Sequence, residues 1–223
     1  MKLSEALGLV RDACSTGPAL ASYLLVVGSS PVSLKPYFHA YLLKQASPPL
    51  TVETSPYGDL VGALEQSVDR GYAGFAVVCE WFDLDPRLGY RRLGGWGPAV
   101  EQEILQTVQK ACCRLWTAIE AVSHNAPVAV VLPTLSPAPL GGTAPCQEAE
   151  FQSILEVHLA ELSRRCACSA NVRLAARNEI DRLSPPGQRF DLRTELHHGC
   201  PYTLRHAEVL GMVLARLLGP LFR

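Results

Sequence analysis

An uninterrupted apolar run at residues 23–27, followed at once by Gly28-Ser29-Ser30, is the feature that most constrains the fold of this chain. A strand with one solvent-exposed face alternates apolar and polar residues, so a run without alternation predicts a parallel strand that is buried on both faces. Gly28 permits a sharp turn after the strand, and Ser33 is placed to cap a helix over residues 34–45. The two serines are therefore predicted to lie at the sheet edge where open α/β folds bind ligands.

Apolar runs alternate with segments of helical periodicity along the rest of the chain. Further strands are predicted at 50–53, 74–79, 127–132 and 172–175, and the main helices at 3–13, 98–123, 147–165 and from Thr203 onward. This alternation predicts one α/β domain over residues 1–223, a three-layer α/β/α sandwich around a parallel sheet. We expect five strands in the flavodoxin-like order 2-1-3-4-5, which places a crevice between the turn after strand one and the segment 80–96.

Two segments carry no clear periodicity. Residues 80–98 are predicted to form a long irregular segment, and residues 191–202 a loop before the last helix, with at most one helical turn at 178–182. A loop as long as 80–98 in a compact domain is more often functional than idle.

Composition excludes several classes of function. The 20 basic and 21 acidic residues give a net charge of -1 without long like-charge runs, which argues against a nucleic acid partner. Glu5 and Arg11 interrupt any signal peptide, and prolines break the uncharged span 125–147, so a soluble, cytoplasmic protein without a membrane partner is expected. The 8 cysteines form no C-x-x-C pair or Cys/His quartet, so we expect reduced thiols, no metal and no cofactor.

Serine, histidine and glutamate residues near the two ends of the chain are the candidate catalytic groups. A serine hydroxyl becomes a nucleophile when a base accepts its proton, and a histidine base works best when an acid orients it. The serines after strand one are the candidate nucleophiles, and Glu195 and His198, three residues apart, could supply the base and its orienter, with His198 as the base. Since His197 and His198 are adjacent, only one of them points inward from an extended segment. The plain alternative is that the serines form only a turn and a helix cap.

These positions resemble the sequence blocks of the SGNH (GDSL-type) hydrolase superfamily. In that family a Gly-Asp-Ser block follows the first strand, a glycine follows the second, and an Asp-x-x-His block precedes the last helix. The positions that correspond here are Gly28, Ser29 and Ser30 for the first block, Gly58 for the glycine, and Glu195 and His198 for the last block. The resemblance implies a serine esterase or acyltransferase with Ser30 as nucleophile, and with Gly28, Ser29 and Gly58 bordering the oxyanion or substrate site.

The third SGNH block, Gly-x-Asn-Asp, is not reproduced. Here the chain has Cys79-Glu80-Trp81-Phe82-Asp83, which lacks the asparagine that donates to the oxyanion. One such donor is worth about 2.7–4 kcal/mol of barrier. Glu80 and Asp83 are included as candidate substrate-binding residues because they occupy this block.

A closer resemblance is to the divergent SGNH-like amino-terminal domain of FkbH-type proteins. Those proteins join it to a haloacid dehalogenase-type domain that loads glyceryl units onto acyl carrier protein. The features that match are the Gly28 turn, the segment 36–43, the Ser55-Pro56-Tyr57-Gly58 turn, the segment 80–87 and Pro201-Tyr202-Thr203. The resemblance implies a role in biosynthesis, and no dehalogenase domain is expected within residues 1–223.

The charged residues of segment 80–98 admit different interpretations. Asp83, Asp85, Arg87 and Arg91 are predicted to form ion pairs that fix the segment, or a polar lining for an anionic ligand. Asp83-Leu84-Asp85 also resembles the Asp-x-Asp motif of dehalogenase-type phosphatases, but Arg87 stands where that motif has Thr or Val. The phosphatase interpretation is therefore disfavoured.

Two hypotheses of different classes follow. The first is an ester hydrolase or acyl-transfer enzyme acting on a small or carrier-protein-bound acyl group. The second is a catalytically degenerate SGNH-like module that docks a carrier protein, a peptide or a partner enzyme. The missing asparagine and the aromatic, arginine-bearing segment 81–96 favour the second.

Overall fold

A computed structural model describes residues 1–15, 19–29, 31–45, 50–89, 98–136 and 150–219. Five strands form one sheet in the order β2-β1-β3-β4-β5, and every neighbouring pair is parallel, as predicted. The strands are β1 (Ala21–Val27), β2 (Leu50–Thr54), β3 (Gly74–Val78), β4 (Val128–Val131) and β5 (Val172–Leu174).

Helices cover both faces of the sheet and complete the three-layer architecture. The helices are α1 (Leu3–Cys14), α2 (Leu34–Gln45), α3 (Leu60–Glu65), α4 (Trp81–Leu84), α5 (Pro98–Ser123), α6 (Glu150–Cys168), α7 (Arg177–Leu183), α8 (Leu192–His198) and α9 (Leu204–Leu218). Short 3-10 turns lie at Pro86–Leu88 and Pro186–Gln188. None of the helices within the described ranges is both long enough and apolar enough to cross a membrane.

The core has two halves, one on each face of the sheet. Leu25 and Val27 of β1 face a cluster with α2 and α9, whereas Leu24 and Val26 face a cluster with α3, α5 and α6. All five residues of β3 are buried. The absence of polar alternation in these strands therefore follows from burial on both faces.

The sheet topology sets the position of the crevice. β1 pairs with β2 on one side and with β3 on the other, so the connection from β1 to β2 and the connection from β3 to β4 run in opposite directions along the sheet. The carboxyl ends of β1 and β3 thus form a switch point, with Gly28 following one strand and Cys79 the other. This is the place predicted for the crevice.

Gly211 brings α9 into backbone contact with α2. A Cβ atom at this position would lie 2.7 Å from the backbone N of Phe38 and 2.8 Å from Cβ of Tyr37. Because these atoms cannot rotate away, we expect Gly211→Ala to lower the free energy of unfolding by about 1–3 kcal/mol. Gly8→Ala on α1 is the control, since a Cβ there meets nothing within 4 Å. Urea unfolding should show Gly8→Ala unchanged or stabilised by up to about 1 kcal/mol, and equal losses in both variants would contradict this account.

The prediction of a loop over residues 191–202 is wrong in its first half, which forms α8. Asp191 caps this helix by accepting a hydrogen bond from Thr194 N at 3.1 Å, and Gly199 ends it with a φ of 68°. Leu192 and Leu196 are exposed and the buried residue of this seven-residue helix is Glu195, so its buried face is polar and gives no apolar stripe longer than one i, i+4 pair. The segment predicted as irregular after β3 likewise begins with the single turn α4.

Ser33 does not cap α2 as predicted. Its hydroxyl lies 3.0 Å from Cys200 Sγ instead. A cap would need a free amide in the first turn, but Lys35 N donates to Pro31 O at 2.9 Å and Pro36 has no N–H. The Ser33–Cys200 contact ties the turn after β1 to the segment that leads into α9.

Candidate functional site

A crevice of about 360 Å³ opens at the carboxyl ends of β1 and β3. Four separate stretches of chain form its walls: the turns after β1 and β2, the segment after β3, and α8. The lining residues are Gly28, Ser29, Tyr57, Gly58, Leu60, Phe82, Asp83, Pro86, Gly89, Glu195 and Gly199. The structure thus brings together five of the predicted site residues: Gly28, Ser29, Gly58, Asp83 and Glu195.

Asp83 packs directly against the turn after β1. Its Oδ2 accepts a hydrogen bond from Glu80 N at 2.8 Å, which holds the side chain at the start of α4. Its Oδ1 faces Gly28 so closely that a Cβ at residue 28 would lie 1.7 Å from it. Glycine at position 28 therefore leaves the space that this carboxyl group occupies.

The surroundings of Asp83 favour its protonated form. Burial raises the pKa of this carboxyl to about 8, and the negative charges of Glu80 and Glu195 act in the same direction. The hydrogen bond from Glu80 N opposes this rise in pKa only in part. The raised pKa favours the neutral carboxylic acid form of Asp83, which can donate a hydrogen bond as well as accept one.

Ser29 is the second polar group of the turn. It is 2% exposed, and its Oγ has no hydrogen-bond partner among the described residues. Leaving such a group unsatisfied costs about 1–3 kcal/mol. A buried hydroxyl left in this state beside a crevice is a sign of a ligand site.

Glu195 reaches the crevice from the buried side of α8. It is one turn before Gly199, which also lines the crevice, and Gly199 N donates to Glu195 O at 3.0 Å. His198 is on the same short helix but is exposed, and it lines a separate surface groove with Arg193, Thr194 and His197. The predicted base is therefore not among the crevice-lining residues, although its predicted orienter is.

Two predicted site residues, Ser30 and Arg91, lie outside the described residues. The roles predicted for them, and for His198, stay predictions.

Arg87 and Asp85 form the ion pair predicted for the segment after β3. Arg87 Nη2 lies 2.7 Å from Asp85 Oδ2, and Arg87 Nη1 lies 3.2 Å from Glu103 Oε1. Asp83 does not join them, because its two oxygens face Glu80 N and Gly28. Since the described lining of the crevice contains carboxyl groups and no basic side chain, it does not fit the predicted anionic ligand.

Glu80 lies beneath the crevice and is 1% exposed. Its carboxylate accepts hydrogen bonds from the hydroxyl and backbone N of Thr134, from Leu135 N and from the hydroxyl of Tyr202. Burial raises the pKa of Glu80, and these bonds oppose that rise. Glu80 therefore joins the ends of β3 and β4 to the segment before α9.

The hydrogen-bond chain continues through a buried histidine. Thr134 Oγ1 lies 2.9 Å from His206 Nε2, and His206 Nδ1 lies 3.0 Å from Ser184 Oγ. Burial and the nearby positive charge of Arg189 lower the pKa of His206 to about 3, so the ring is neutral. Because Thr134 donates to Glu80, its oxygen accepts from His206 Nε2–H, and Ser184 then donates to Nδ1.

Sequence reasoning missed Thr134, Tyr202 and His206. The available signal was weak: Thr134 follows β4 as Glu80 follows β3, and the carboxyl ends of neighbouring parallel strands meet at one edge.

Within the described ranges, no group of three or more His, Cys, Asp or Glu side chains is arranged to hold a metal ion.

Comparisons with known proteins support the fold alone. No protein-family model matches the chain, and no curated protein does either. Among solved structures, the chain is similar to the N-terminal part of the protein BF1531 from Bacteroides fragilis, described as containing a phosphatase domain complexed with Mg. The TM-score is 0.68 at 10% sequence identity, and the match covers 95% of this chain. It covers 55% of that chain, so this protein spans about half the length of its structural neighbour.

Proposed function

We propose that this protein is a hydrolase or acyl-transfer enzyme whose active site is the crevice at the ends of β1 and β3. The observation that carries the proposal is the meeting of the Gly28–Ser29 turn, Asp83 and Glu195 in one crevice at the sheet's switch point. These residues are distant in sequence, and they supply hydroxyl and carboxyl groups beside the apolar walls formed by Tyr57, Leu60 and Phe82. Such a lining suits a small or carrier-bound acyl group.

The proposed reaction begins at a hydroxyl of the turn after β1, for which the sequence predicts Ser30. The hydroxyl oxygen forms a bond to the acyl carbon as its proton passes to a base, and the ester C–O bond then breaks. The leaving alcohol takes up that proton, and water or an acceptor alcohol removes the acyl group in a second step. Within the described lining, Glu195 is the candidate base, since His198 faces outward.

Turnover of short p-nitrophenyl esters tests this proposal. We expect Ser30→Ala and Glu195→Gln to reduce kcat/KM at least 100-fold, since both remove groups that act on the reacting atoms. Ser153→Ala, at an exposed position of α6, is the matched control and should retain full turnover. Labelling by a fluorophosphonate probe should be lost in Ser30→Ala, slowed in Glu195→Gln and unchanged in Ser153→Ala. Turnover unchanged in that variant, or no labelling of the wild type, would exclude a serine enzyme.

The second candidate is a binding module of the same fold without chemistry. The exposed position of His198, away from the crevice lining, favours it. Such a module would dock a carrier protein, a peptide or a partner enzyme in a biosynthetic pathway. Capture of a purified acyl carrier protein tests the idea. Capture that persists in Ser30→Ala but is lost when Arg91 and Arg92 are changed to Glu would support docking through segment 81–96.

A further inference from the structure

We propose that the Asp83 carboxyl is the hydrogen-bond donor of the crevice, presenting an O–H on Oδ1 to a carbonyl oxygen of a neutral ligand. The inference deepens the proposed function, because the carbonyl would be that of the acyl group. It rests on that function only for the identity of the ligand.

The contacts of Asp83 decide which of its oxygens holds the proton. In a carboxylic acid the carbonyl oxygen accepts hydrogen bonds and the hydroxyl oxygen donates. Oδ2 accepts from Glu80 N at 2.8 Å and so takes the carbonyl role. Oδ1, which faces Gly28 at the crevice wall, is left to carry the proton.

The titratable groups that face Asp83 favour the protonated carboxyl, and the hydrogen bond from Glu80 N opposes them only in part. Glu80 on its own segment and Glu195 from α8 are acids whose charges disfavour a further negative charge. Cys79 after β3 and Tyr202 before α9 are also close enough to interact with Asp83, and burial raises the pKa of both. The turn after β1 contributes Gly28 and Ser29, which have no charge.

Ser29 provides independent evidence that a ligand enters here. Ser29 is 2% exposed and borders the same crevice, and its hydroxyl has no hydrogen-bond partner among the described residues. A ligand carbonyl next to Gly28 would accept from Asp83 and lie beside this hydroxyl. An anionic ligand would meet two carboxyl groups, and the described lining has no basic side chain to balance its charge.

The titration of Asp83 can be measured without any ligand. In carbon-13 NMR of aspartate-labelled protein, one carboxyl resonance should titrate near pH 8 and be missing from Asp83→Asn. Asp69→Asn, at an exposed position, is the control and should leave that resonance in place. A midpoint near the ordinary value of 3.8 would overturn the proposal.

The free energy of unfolding should also depend on the protonation of Asp83. Between pH 3.8 and about 8 the unfolded chain loses this proton while the folded chain keeps it, so Asp83 lowers stability as pH rises through that window. Asp83→Asn removes this effect, and its urea midpoint should exceed that of the wild type at pH 8 by more than at pH 4. A difference that does not change with pH would contradict the assignment.

The donor role is tested with two probes that share one ring. At pH 6.5 the neutral ketone 4-nitroacetophenone should shift the amide NMR signals of Gly28, Gly58 and Gly199, whereas 4-nitrobenzoate should not. The shifts should persist in Asp83→Asn, whose amide still donates, and disappear in Asp83→Ala. Preference for 4-nitrobenzoate, or no shift by the ketone, would overturn the proposal. Because these measurements need no turnover, they remain decisive if the protein hydrolyses no ester.

Discussion

Replacing Glu80 with leucine is expected to lower the free energy of unfolding by about 3–5 kcal/mol, a large part of the roughly 5–15 kcal/mol that stabilises a typical domain. The buried carboxylate accepts hydrogen bonds from four donor groups of Thr134, Leu135 and Tyr202. Leucine leaves all four without an acceptor, and each buried group then bears its full desolvation cost. Urea unfolding followed by circular dichroism measures the loss.

Two further variants separate the hydrogen bonds of Glu80 from its volume. Glu80→Gln should lose less than Glu80→Leu, because its amide retains one acceptor oxygen and the hydroxyls of Thr134 and Tyr202 can rotate to accept from its NH₂. Glu65→Leu, on the exposed surface of α3, should change stability by no more than about 0.5 kcal/mol. Equal losses in Glu80→Leu and Glu65→Leu would show that the buried hydrogen bonds contribute nothing specific.

The sheet could be predicted because each strand and helix is recognised from the pattern of its own short segment of sequence. The run at 23–27 and the apolar β3 segment each show burial on both faces, and the stripe of α5 marks a helix whose bounds, 98–123, match the structure. Short parallel strands joined by helices leave few topologies, and the predicted order is confirmed.

The polar core could not be predicted because its partners are distant in sequence. Glu80 and Thr134 are 54 residues apart, and Glu80 and Tyr202 are 122 apart, so no spacing links them. The short helix α8 was missed for another reason, since its leucines face solvent and its capping residues resemble those of a turn. The sequence predicted that the serines after β1 meet the histidines before α9. The described crevice lining contains Ser29 and Glu195 but not His198, whose outward position depends on the helical geometry of α8.

Arg189→Met is expected to lower the free energy of unfolding by about 3–5 kcal/mol. The guanidinium group is fully buried, and it donates to Ser184 O at 2.8 Å, to Thr134 O at 2.7 Å and to the carboxylate of Asp181. Methionine fills much of the volume but leaves these carbonyl groups without donors. Arg182→Met is the matched control, because Arg182 pairs with Glu179 on the exposed face of α7 and should cost no more than about 1 kcal/mol.

The two large effects should not add, because Glu80 and Arg189 hold the same residue. Glu80 binds the backbone N and hydroxyl of Thr134, and Arg189 binds its carbonyl oxygen. Once either partner is lost, Thr134 is free to shift, so the second substitution has less left to disrupt. We expect the double variant to lose about 0.5–3 kcal/mol less than the sum of the single losses. Strict additivity in this double-mutant cycle would mean that Glu80 and Arg189 belong to two independent clusters rather than to one connected hydrogen-bond network.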